Sequence, residues 1–216
     1  MITNEFSLKE AFKSSWQIYS SNFFLFFIPL LIWGGLFFLR FKLAQSSVFL
    51  PLLIVFTLLL VTFGIIKGLI KSYNEDKIKL SDFLLEGKVY FRLVIVALAL
   101  TLFNKVSSFI FLFNRFSLEV GLTLVILLML VFVFLFIRIS FMICFIIDKK
   151  LNLKEALQAS LKLTKNSSFD LYILLGVMSM VGLSGVFPGM FIGMIFISIP
   201  LNLGAFVFVY KNLLED

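Results

Sequence analysis

The sequence contains no histidine, one cysteine and only twelve acidic residues among 216. Without His the chain lacks the usual general base near neutral pH and the commonest metal ligand. Cys144 has no second cysteine with which to form an internal disulfide, and it sits in an apolar run where it reads as a small packing residue. No HExxH, Walker loop or GxSxG signature is present, so no cofactor or metal is expected. Charged residues make up 14% of the chain, and no acid falls plainly inside a long apolar run. A proton-coupled carrier usually needs such a buried carboxylate, so that class loses support. A Ser nucleophile would need Lys as its base, with Ser107 or Ser108 forced beside Lys105. The chain therefore reads as a non-enzyme.

What fills the space is apolar. Hydrophobic residues make up 61%, thirty of them Phe, and the mean hydropathy is +1.11. Soluble domains sit near 45–50% apolar, so a water-soluble fold is close to excluded. A membrane span takes about 20 apolar residues to cross roughly 30 Å of hydrocarbon. Six runs qualify: 23–39, 48–66, 93–113, 120–147, 169–187 and 190–210. Pro188 and Gly189 make the turn between the last two. The first 22 residues carry both signs of charge, and no small-residue cleavage site follows the first run, so that run reads as a retained span rather than a signal peptide.

The net charge of +7 lies mainly in the links. Six spans put both termini on one side. That side holds fourteen Lys and Arg, against three in the opposite links. The positive-inside bias then makes both termini cytoplasmic, in a bacterial plasma membrane, and the basic links face anionic headgroups rather than nucleic acid.

The links also repeat. Residues 153–166 read LKEALQASLKLTKN, residues 8–22 read LKEAFKSSWQIYSSN, and residues 80–90 carry a weaker copy, LSDFLLEGKVY, with Gly87 where the others have Ser15 and Ser160. Leu153, Ala156, Leu157 and Leu161 share one helical face, with Lys154, Glu155, Gln158, Lys162 and Lys165 on the other. The spacing predicts an all-α integral membrane protein of three units, about 1–71, 72–150 and 151–216. Each unit is a cytoplasmic amphipathic helix followed by a transmembrane hairpin. The three helices either cap the bundle and anchor it to the inner leaflet or ring a cytoplasmic opening.

Few residues in the spans carry chemistry. Arg138 lies roughly 27 Å into its span by helix rise, near the inner interface. It either snorkels to phosphates or joins Lys67, at a nearly equivalent place in the preceding unit, in a basic site for a lipid phosphate or other anion. Lys105 either marks the outer interface or, with Asn104, Ser107 and Ser108, a polar cavity. Gly189 and Gly193 form a GxxxG, read as close helix packing or a broken helix lining a path. Pro200 should kink the last span, with Ser198 and Asn202 at hand for the freed backbone group.

Three features together resemble a loose bacterial group of six-span membrane proteins. The group includes the membrane domain fused to some glycerophosphodiester phosphodiesterases. The features are Arg138-Ile139-Ser140-Phe141 ending a long span, Asp148 followed by the LKEALQAS phrase, and the ending from Pro200 to Tyr210. The resemblance implies a fold and a membrane location and transfers no catalytic residue. Two function classes follow: a transport or lipid-handling protein with a polar cavity between units, or a non-catalytic scaffold working through a protein partner or as a homo-oligomer.

Overall fold

The computed structural model describes residues 7–43, 49–75, 78–112, 139–165 and 194–215, with single positions at 171, 173, 174, 176 and 177. Among these residues every regular element is helical. Helix α1 spans Leu8–Ser21, α2 Phe23–Leu43 and α3 Phe49–Asn74. A 3-10 turn covers Leu80–Phe83, and α4 runs Gly87–Leu112. Helix α5 is Met142–Asp148, α6 is Leu153–Leu163, and a π-turn at Met194–Ser198 leads into α7, Ile199–Glu215.

Among the described residues, three stretches are long and apolar enough to cross a membrane: Phe23–Arg40, Leu53–Asn74 and Ile195–Leu214. They fall on the expected first, second and sixth spans. The third expected span coincides with α4, while the fourth and fifth lie largely outside the described residues. Inside the first hairpin the Trp33 indole N–H donates to Thr62 Oγ1 at 3.1 Å, tying α2 to α3. The outer side of α2 presents Phe24, Ile28, Leu31, Ile32 and Phe38 uncovered, as a lipid-facing surface would.

The first and third copies of the repeated phrase fold alike. At the start of α1 the Ser7 hydroxyl accepts from the Glu10 backbone N–H at 3.4 Å. At the start of α6 Asn152 and Glu155 form a reciprocal capping box, with bonds of 2.9 and 3.2 Å. Such caps satisfy N–H groups that a helix start leaves without partners. Both helices bury the same register: Ala11, Ser15 and Tyr19 in α1, and Ala156, Ser160 and the following Thr164 in α6. The Ser15 hydroxyl turns back to the Ala11 carbonyl at 2.6 Å, and the Thr164 hydroxyl to that of Ser160 at 2.9 Å.

The second copy departs from expectation. Residues 80–90 do not form an amphipathic helix. Only Leu80–Phe83 turns, in a 3-10 conformation with Asp82 accepting from the Lys79 backbone N–H, and the long helix α4 begins directly at Gly87. The cause is Phe83, which occupies the place of Ala11 and Ala156. Its ring and carbonyl press into a step on α3 made by Gly64 and Gly68. A Cβ at Gly64 would lie 2.6 Å from the Phe83 carbonyl oxygen, and one at Gly68 2.5 Å from the ring. The ring also meets Phe26 edge-on at 5.0 Å.

Each of the three segments packs on a helix that is not the one it leads into. The 3-10 turn packs on α3, α6 packs on α5, and α1 packs far more extensively on α7 than on α2. The α1–α7 approach is close, since a Cβ on Gly204 would fall 2.8 Å from that of Ser15. Tyr73 of α3 completes this corner. Its hydroxyl donates to the Gly204 carbonyl at 3.3 Å.

Aromatic rings fill the meeting place of α3, α5 and α7. Phe141 stacks on Phe206 at 4.7 Å, Phe145 meets Tyr210 edge-on at 5.2 Å, and Tyr73 faces Phe208 at 6.3 Å. Pro200, expected to kink the last span, sits buried at the second position of α7. It directly follows the π-turn, a helix irregularity that accommodates a missing backbone donor.

Candidate functional site

The links between the helices gather charge into two neighbouring clusters beside the end of α3. In the first, the Lys71 ammonium bonds the Asp82 carboxylate at 2.9 Å and reaches Glu75 at 3.5 Å. Asp82 also accepts from the Lys79 backbone N–H at 2.7 Å. The Lys71 ammonium, and then that backbone donor, hold the Asp82 carboxyl below the usual carboxylate range.

The second cluster centres on Glu86, immediately before α4. Lys67 donates to the Leu84 carbonyl at 2.6 Å and to Glu86 Oε1 at 3.0 Å. Lys150 reaches the other oxygen of the same carboxylate at 3.4 Å. Arg92 Nη1 binds the backbone carbonyls of Lys150 and, at 2.9 Å, Leu151. Lys150 stands at φ 54°, a left-handed conformation uncommon outside glycine. Lys67, then Lys150, pull the Glu86 carboxyl below its ordinary range. Glu86 and Lys150 are 63% and 68% exposed in their side chains. Pairs this open are worth about 0–1 kcal/mol, so stability alone does not account for the gathering of cations.

A third pairing is more enclosed. Asp148, at the end of α5, accepts from Lys211 at 2.9 Å and from the Tyr210 hydroxyl at 3.2 Å. This pins the last helix to the α5–α6 junction. Elsewhere the Tyr19 hydroxyl is buried with no hydrogen-bond partner among the described residues, and burial pushes its pKa up to about 12.

Of the residues singled out from the sequence, Lys67 lies in this rim, bound to Glu86 and the Leu84 carbonyl. Arg138, Gly189 and Gly193 lie outside the described residues. Asn104, Lys105, Ser107 and Ser108 fall in one stretch of α4 whose side chains are likewise not described. Pro200 belongs to the packed core and not to the rim. Sequence reasoning missed Glu86, Lys150, Arg92 and Asp82. One signal was available: Asp82 and Glu86 are the only acids in residues 78–112, set among Lys79, Lys88 and Arg92. No family model, curated protein or solved structure matches the chain.

Proposed function

We propose that the chain is a six-span protein of the bacterial plasma membrane, with both termini cytoplasmic and three hairpin units closed into a ring. We propose further that it moves or handles lipid or a small solute along the polar seams between units, without catalysis. The observation that carries this reading is cyclic. The second segment packs on the last helix of the first unit, the third on the last helix of the second, and the first on the last helix of the third. Two of those contacts join neighbours in sequence. The α1–α7 contact joins opposite ends of the chain, as a closed threefold arrangement requires. The resemblance to six-span bacterial proteins supports the same location.

On this reading Asn104, Lys105, Ser107 and Ser108, the polar group that the sequence places in the third expected span, are the candidates for a seam reached by water. The test replaces Cys144 by Ser and places single cysteines at Lys105 and Ser108 in vesicle-reconstituted protein. Labelling of both by a small impermeant thiol reagent is the expected result. Protection of both until detergent is added overturns the seam.

A second reading is favoured by the aromatic packing between α3, α5 and α7, where Phe141 and Tyr210 are almost fully buried. A bundle plugged at this end suits a non-catalytic scaffold or accessory subunit, held to a protein partner or to its own copies. Gentle extraction from the native membrane, followed by native mass spectrometry, distinguishes it by a partner chain at fixed stoichiometry.

A further inference from the structure

We infer that the Glu86 junction is a seat for one anionic phospholipid, with its phosphodiester among Lys67, Lys88, Arg92 and Lys150 and an acyl chain along the outer face of α4. The inference rests on the membrane-spanning reading above, which places this rim in the headgroup layer, and adds a named ligand class to it.

Charge is the first argument. Lys67 and Lys150 share the single Glu86 carboxylate. Arg92 is held on two neutral carbonyls, and Lys88 is exposed one turn before it. Lys67, Lys150 and Arg92 thus meet at Glu86 and the carbonyls beside it, with exposed Lys88 two residues along and the neighbouring Asp82 taken up by Lys71, at a place where chain topology gathers cations from α3, α4 and the α5–α6 link. An ammonium carries three donors and a guanidinium five, and the Lys150 side chain stays 68% exposed while sharing Glu86 with Lys67, so positive charge exceeds negative at this junction. Such a surplus is stable where an anion supplies the missing charge.

Shape is the second argument. On α4 the buried face is Val89, Leu93 and Ala97. The opposite face carries Lys88, Phe91, Ile95 and Leu98 in one stripe by helical spacing, and the three apolar members are 67%, 43% and 50% exposed. Arg92 flanks the head of that stripe. From Lys88 to Leu98 the helix rises roughly 15 Å, the depth of one leaflet's hydrocarbon. Leu84, 69% exposed, extends the apolar surface beside Glu86. Cations at the top and an uncovered apolar stripe below match an amphiphile with a charged head. A free anion would not use the stripe, and a zwitterionic lipid would not use the charge surplus.

The experiment is native mass spectrometry of the full-length protein in detergent, titrated separately with phosphatidylglycerol, phosphatidylcholine and inorganic phosphate. The unmodified chain should hold one phosphatidylglycerol and prefer it about tenfold over phosphatidylcholine. In the Lys88→Gln/Lys150→Gln variant, whose altered side chains are exposed, that preference should fall by about tenfold. A control, Lys9→Gln/Lys13→Gln, removes the same charge from α1 and should leave the preference unchanged. Equal loss in both variants would mean general attraction to a basic surface and would overturn the site. So would equal retention of the two lipids by the unmodified chain, or binding of inorganic phosphate alone with the same lysine dependence. A stoichiometric protein held at this rim in place of lipid also overturns it. Carbonate extraction separates the two readings. A chain released from membranes fails the spanning reading, whereas a chain retained in membranes without lipid preference fails only the seat.

Discussion

One phrase builds two different objects in this molecule. At Leu8 and Leu153 it makes capped helices that lie on a neighbour through small residues, Ala11 and Ser15 in one and Ala156 and Ser160 in the other. At Leu80 it makes a single 3-10 turn, and the neighbour rather than the phrase supplies the small residues, Gly64 and Gly68. The contact is conserved in kind while the bulk changes sides. With Ala at the docking position the segment lies flat and continues as a helix. With Phe83 there, the ring is driven into the partner and the segment stops, because a helix continuing past it could not hold the carbonyl of Phe83 against Gly64. Burying a Phe side chain is worth about 2–3 kcal/mol, enough to outweigh a short helix with little stability of its own in isolation.

This comparison can be broken at several points. The largest effect is expected from Phe83→Ala, which empties the wedge and should cost about 3–4 kcal/mol, read as a lower thermal midpoint in detergent. Gly64→Ala should follow at about 2–3 kcal/mol, because its new methyl meets a backbone oxygen. Gly68→Ala meets only the ring, so combining it with Phe83→Ala should be less harmful than the sum of the two. The same combination with Gly64→Ala should show no such relief, since the carbonyl remains. Additivity in both pairs would refute the wedge.

Capping provides a smaller test, within the matched pair. Asn152→Ala removes a reciprocal cap and should cost about 1–2 kcal/mol, whereas Ser7→Ala removes one longer bond and should cost about 0.5–1 kcal/mol. Helix content and thermal midpoints would check both. The smallest effect is pH dependence. The Asp82 and Glu86 carboxyls are held below their unfolded values, so their contribution is fully present above about pH 5. It fades as pH falls through their lowered folded-state values. Between pH 6 and pH 3 the midpoint should drop, and the Asp82→Asn/Glu86→Gln variant should show a shallower drop.

Much of the architecture is legible in sequence because it follows from periodicity and length. The apolar runs at 23–39, 48–66 and 190–210 and the likeness of residues 8–21 and 153–163 are local patterns that the described helices reproduce, whereas the face expected of Leu153, Ala156, Leu157 and Leu161 appears only in part, with Ala156 and Ser160 buried and Leu161 40% exposed. The conformation of the second copy was not legible. The letters at 80–90 match the phrase, but the outcome depends on Gly64 and Gly68, which are distant from its own helical face and contribute nothing to hydrophobic spacing. Gly64 and Gly68 carry no motif that marks them as a docking place, whereas Gly189 and Gly193, which form a GxxxG, lie outside the described residues. Lys67 stands out in the sequence because it follows an apolar run at a place nearly equivalent to that of Arg138. Its partners were hidden, because the link after the 3-10 turn returns beneath α3 and no periodic signal records that return.

The α1–α7 contact has a consequence for the order in which the molecule is made. The seat for Ser15 is Gly204, synthesised roughly 190 residues later, which at ordinary rates of translation is about 10–40 s. The other two docking sites precede their segments and are ready when those segments emerge. Throughout that interval the Ser15 part of the α1 face lacks its Gly204 cover, while Tyr19 already has Phe23 and Phe26 of α2 beside it. Stalled nascent chains should therefore be cut within α1 by added protease when they end before Gly204 and resist cutting when Leu214 has cleared the ribosome. Equal protection at both lengths would show that α1 finds its shelter elsewhere. On this account α1 is made well before the helix it packs on and reaches its place only after that helix is complete.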